Sequence, residues 1–209
     1  MGKSRCKGDV TIVCGFIFKR EEIMYVIGIT AHEIILNECI AQGIDYDEMY
    51  AIIRELLIKY NAGKAFAKRR GIKWLNNVTK KIPYRTEFID IVAHPENYTK
   101  KERKVFAWKV ACEMWYSEKS IMVLDHMKMF VEEGEALAHI IDSVYMKGAN
   151  TKKSDEAMQK ELFMGHTKYF DVKKDAIVLY GLLIWKYCKR RDREDRDNGI
   201  IDDNGNIID

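Results

Sequence analysis

Proline is nearly missing from this chain: two residues among 209, Pro83 and Pro95. Proline breaks helix interiors and central strands, so its scarcity permits long uninterrupted helices. Cysteine is sparse and unpaired. None of Cys6, Cys14, Cys39, Cys112 and Cys188 forms a CxxC pair, which argues against a zinc site or a disulfide framework. Cys39, Cys112 and Cys188 stand in apolar periodic runs and read as small buried hydrophobes of a reducing compartment. No apolar run is long enough to span a bilayer. Residues 10–18 mimic a signal-peptide core, but Lys19-Arg20-Glu21-Glu22 follows at once without a small-residue cleavage site. Met1-Gly2 opens like a myristoylation site, yet Cys6 stands where Ser or Thr belongs. The expectation is a soluble cytoplasmic protein with no membrane partner. A large charge of one sign is also missing. The formal net charge of +3 excludes nucleic-acid binding by bulk charge alone.

What the chain does have is apolar surface and helix punctuation. A hydrophobic share of 47% is too high for a disordered chain, and 209 residues can bury one sizeable core. Residues 10–18 and 23–29 fit either a small hairpin or short buried helices. After them the helix signals repeat. Thr30 and Glu33 have capping-box spacing, and Gly43 stands where a helix would end. Asp45 starts a second run, whose apolar face is Met49, Ile52, Ile53, Leu56, Leu57 and Tyr60. It reaches to about Arg70, with Gly71 as a break. Thr99 and Glu102 form another capping box. The helix they open carries apolar residues around most of its circumference up to Tyr116, which predicts the central helix. Ser120 then caps one long helix over 121–147, and Asp171 caps a last one. The fold class is mainly α: a bundle of six or seven helices over residues 1–188.

Charge is unevenly spread. Residues 59–81 hold eight basic side chains and no acidic one, whereas 197–209 hold four aspartates and no basic one. Residues 189–209 read as a charged C-terminal arm. Its end favours a short hairpin about Asn204-Gly205, flanked by Ile200, Ile201, Ile207 and Ile208. Such a two-stranded element is marginal alone and calls for its own body or a partner.

Motifs that would carry catalysis are scarce. His32-Glu33 lacks the second histidine of a zincin helix, because Leu36 stands there. Asn61-Ala62-Gly63-Lys64 lacks the frame of a phosphate-binding loop. On the 121–147 helix, Glu132, Glu135, His139 and Asp142 share a face with Asp125. That donor set suits a divalent metal. Glu132-Glu133-Gly134-Glu135 resembles the first half of the motif of helical nucleotide pyrophosphohydrolases, but no Glu-x-x-Asp is read that would supply its second half. No cofactor is implied otherwise.

Three functional expectations follow. The first is a non-enzymatic assembly protein. It would bind neighbouring copies through a basic face (Lys64, Lys68, Arg69, Arg70, Lys73, Lys80 and Lys81) and through Ile200, Ile201, Asn204, Gly205, Ile207 and Ile208 of the arm. In architecture, the capped helices of 30–188 with the arm 189–209 resemble the small helical adaptor or ring proteins at the head-to-tail junction of tailed phages. That resemblance implies a structural virion component in a homo-oligomeric ring, without catalysis. The second is a nucleic-acid-binding protein using segment 59–81, where Tyr60, Phe66 and Trp74 interleave with the cations. The third is a metal-dependent hydrolase using Glu132, Glu135, His139 and Asp142.

Overall fold

The computed structural model describes residues 30–74, 84–202 and 208, with side chains of the second helix described to Arg69. The chain divides at Thr30, and the helices form the unit from Ala31 onward. The candidate hairpin at 10–29 lies outside the described residues, as do Lys80, Lys81, Asn204, Gly205 and Ile207.

The fold is mainly α. Among the described residues there are eight α-helices: α1 (Ala31–Ala41), α2 (Tyr46–Trp74), α3 (Arg85–Ala93), α4 (Lys100–Ala111), α5 (Met114–Phe130), α6 (Gly134–Ile141), α7 (Asp155–Glu161) and α8 (His166–Asp197). No helix among them is long and apolar enough to cross a membrane.

Local chemistry sets most of the boundaries. Gly43 ends the turn after α1 with φ +67, the left-handed value that glycine takes without strain. The Asp45 carboxylate accepts the Glu48 backbone N–H at 2.8 Å and opens α2. Thr99 and Glu102 close the expected capping box on α4. Ser154 caps α7 through the Ala157 N–H. All six apolar residues of the α2 stripe are buried, and so are Cys39, Cys112 and Cys188.

Several expectations are corrected. The helix α2 does not break at Gly71 but runs on to Trp74. The single helix over 121–147 is two helices. Val131 is extended, and the chain turns back so tightly that a Cβ on Gly134 would lie 2.1 Å from the Met127 carbonyl oxygen. Beyond α6 the backbone widens into one π turn, Asp142–Met146. Ser120 is no cap: it sits inside α5, where its hydroxyl donates to the Tyr116 carbonyl at 2.7 Å. Nor is the helix after Thr99 central, because Val105 and Trp108 face outward.

The central helix is α8. It starts at His166, ahead of the expected Asp171, and Asp175 through Leu182 are buried on every side. The helices α1, α2, α3, α5 and α6 all pack on it. Glycine permits the closest of these approaches. A Cβ on Gly181 would lie 2.4 Å from Ile53 Cγ1. At the α2–α4 crossing, a Cβ on Gly63 would lie 2.2 Å from the Ala111 carbonyl oxygen.

The C-terminal arm starts later than residue 189. The stretch Lys189 to Asp197 is the last part of α8, laced by Arg190–Glu194, Arg191–Asp195 and Arg196–Asp192 pairs. Arg85 of α3 reaches across to pair with buried Asp195. The chain then folds back onto its own body. The Ile200 N–H donates to the Asp195 carbonyl at 2.8 Å, and Ile201 is only 2% exposed. The Ile208 N–H donates to the Ile200 carbonyl at 2.9 Å; the turn of the expected hairpin lies outside the described residues.

Candidate functional site

The basic run of α2 is not one face. A helix turns 100° per residue, so residues two apart point in opposite directions. From Phe66, Arg69 follows at i+3 and shares its side of α2; the side chains of Arg70 and Lys73 lie outside the described residues. Lys64 and Lys68 fall on the other side. Lys64 is half-buried, and its Nζ lies 5.3 Å from the centre of the Tyr60 ring. Lys59 pairs with Glu55 at 3.6 Å. Lys68 and Arg69 are exposed, and neither forms an ion pair among the described residues.

Phe66 is not a core residue. It stays 38% exposed and leans on Trp108 of α4, itself 40% exposed, with ring centres 6.0 Å apart. The Gly63–Ala111 contact brings the helices this close, since any side chain at 63 would hold α4 away. Tyr60, by contrast, is core, edge-on to Tyr116 at 5.9 Å.

Sequence reading overlooked what α4 adds. This helix carries Lys100, Lys101, Arg103, Lys104 and Lys109 against one acid, Glu102. Glu102 accepts from the backbone N–H and hydroxyl of Thr99, which hold its carboxyl below the usual range. Arg103 turns inward to Glu48. Lys101, Lys104 and Lys109 are exposed. Lys104 and Lys101 precede Trp108 by one and two turns, so they line the approach to the aromatic pair. The visible signal was a lysine-rich first turn followed by Phe106-Ala107-Trp108. Beside it lies a shallow hollow of about 480 Å³, lined by Tyr98, Lys101, Val105, Phe106 and Lys109 among others.

The acidic set meets a different fate. Asp125 of α5 and Glu135, His139 and Asp142 from the α6 segment line one open groove; Glu132 does not. Lysines occupy several of these groups: Asp125 pairs with Lys128 at 2.7 Å and Asp142 with Lys147 at 3.5 Å. His139 contacts Glu161 at 2.8 Å, and Lys153 and His139 hold the Glu161 carboxyl below its usual range. Glu-x-x-Asp spacing, the second half of the pyrophosphohydrolase motif, also occurs at Glu87–Asp90 and Glu194–Asp197, which sequence reading passed over. Among the described residues, no three His, Cys, Asp or Glu side chains gather as a metal site would require.

A second polar cluster was also missed. Asp175, buried in α8, accepts the Tyr46 hydroxyl at 2.5 Å and contacts His32 Nδ1 at 2.7 Å. Burial and the bond to Asp175 push the Tyr46 hydroxyl far above its ordinary value. This cluster ties α1 and α2 to the central helix.

Comparison with protein-family models, with curated proteins and with solved structures finds no match to this chain.

Proposed function

We propose that this chain is a non-enzymatic binding protein that engages nucleic acid through the joint face of α2 and α4. One observation carries the reading. Two helices contribute an aromatic each to a half-exposed pair, Phe66 and Trp108, with exposed Arg69 one turn from Phe66 on α2 and exposed Lys104 one turn from Trp108 on α4. Cations neutralise phosphates and release counterions, and exposed rings stack on bases. The only carboxylate of α4, Glu102, stays ionised at its N-cap, a single negative charge against the five cations of that helix.

Salt titration of DNA and RNA binding by the full chain tests this. Affinity should fall steeply with salt, with a log–log slope of about −0.7 to −0.9 per phosphate neutralised. Replacing Arg69 or Lys104 with Gln should each flatten the slope by about one contact. Absence of retention on immobilised DNA and RNA at low salt would remove the reading.

A second reading, assembly between copies as in a phage head-to-tail connector ring, draws on the tail. Ile200 and Ile208 are 42% and 52% exposed and joined by one backbone hydrogen bond. Ile201 is already buried in the chain's own core, which leaves less apolar surface for a neighbour. Light scattering of the full chain against an Ile200→Asp, Ile208→Asp variant tests it. Two identical monomers would dismiss it.

A further inference from the structure

The geometry points to single-stranded nucleic acid as the ligand of this face, an inference that rests on the nucleic-acid reading above. A duplex turns its bases inward and offers a protein surface mainly phosphates. Cations alone would serve for that. What the α2–α4 face adds is exposed ring surface at its centre. Phe66 and Trp108 meet at an interplanar angle of 53°, so they do not close into a sandwich, and each leaves ring surface to solvent. An unpaired base can stack there, and every base has a π-face, so the contact is tolerant of sequence.

A second feature lies one helix face away. The hollow on α4 is lined by Val105 and Phe106, with Lys101, Lys109 and the Glu102 carboxylate around them. It is shallow and open, about 480 Å³ in volume. Phe106 stacks nearly parallel on Phe88, with 8° between the ring planes, so that ring is braced. The Tyr98 hydroxyl at its rim donates to Asp90, which raises its pKa to about 12 and fixes the ring. A strand stacked on Trp108 could drop its next base into this hollow while Lys101 meets the intervening phosphate. A duplex could not do this without unpairing.

Equilibrium fluorescence anisotropy tests the inference, with labelled oligothymidylate and a blunt duplex of equal length titrated with the full chain. The wild-type chain should favour the single strand by roughly tenfold, the contribution of one good stack. Trp108→Ala should lose that margin and leave duplex affinity unchanged. Trp108→Tyr should keep most of it, and circular dichroism should show both variants folded. Equal affinities for the two probes would overturn the inference and leave the nucleic-acid reading standing. So would a Trp108→Ala loss shared equally by both probes. Polyglutamate competing as well as oligothymidylate at matched charge would overturn it in favour of an acidic protein partner. Binding to neither nucleic-acid probe would overturn both readings.

Discussion

Replacing Arg85 with Met should destabilise the fold by about 3 kcal/mol, and the structure says why. Arg85 is 5% exposed and its partner Asp195 is 1% exposed. Removing one member of a buried ion pair typically costs about 3–5 kcal/mol, because the other charge stays buried without compensation. Here Asp195 retains one cation, Arg191, at 2.9 Å, which argues for the lower end. For a chain of this size each kcal/mol moves the melting midpoint by roughly 2–4 °C, so a fall of about 6–12 °C is expected. Urea unfolding of Arg85→Met, Asp195→Leu and the double variant would measure the coupling. The double variant should recover most of the loss, since a hydrophobic replacement of a buried pair is often neutral or better. The Asp195 backbone carbonyl that holds Ile200 and Ile201 survives either change. A single-variant cost below about 1 kcal/mol, or a double cost equal to the sum of the singles, would refute the argument.

Four further outcomes are expected. Gly63→Ala should destabilise by about 1–3 kcal/mol despite the better helix propensity of alanine, because its Cβ meets the Ala111 carbonyl; a more stable variant in thermal melts would contradict the tight crossing. Gly181→Ala should cost less, since the atoms it meets belong to the side chains of Ile53 and Met49. Cys39, Cys112 and Cys188 should resist alkylation in the native protein and react on unfolding; burial holds the Cys39 thiol up at about 12 and raises Cys188 further, so native labelling at any of the three by mass spectrometry would be inconsistent with this core. Burial opposes ionisation of Asp155, but bonds from Lys173 and Tyr169 outweigh it and hold its carboxyl below the ordinary 3.8. Its contribution to stability is therefore complete above that value and lost as pH falls through the lower folded value. Asp155→Asn should flatten the acid limb of the stability–pH curve below about pH 4, and an unchanged limb would count against the pairing.

The division between what sequence disclosed and what it hid follows the range of the interactions. Caps and apolar stripes are local, so Asp45, Thr99 and the α2 stripe were legible. The break between α5 and α6 was not. Apolar residues continue with helical spacing from Val123 to Tyr145, because both helices turn an apolar side to the same core. The reversal is visible only in the approach of Gly134 to the Met127 carbonyl. The same limit governed α8. Asp175 and the run after Lys189 make it look too polar to be central. Their partners, His32, Tyr46 and Arg85, come from residues more than a hundred positions away. The candidate site repeats the pattern. A cation count located the α2 half, but no count of residues says which side of a helix an aromatic takes. Phe66 alone was as good a core residue as a surface one. On the proposed nucleic-acid reading it becomes a binding residue only because Gly63 lets α4 come close enough for Trp108 to stand beside it, with both rings still open to solvent. The proposed site is therefore a tertiary contact, and Gly63 is the residue on which that contact depends.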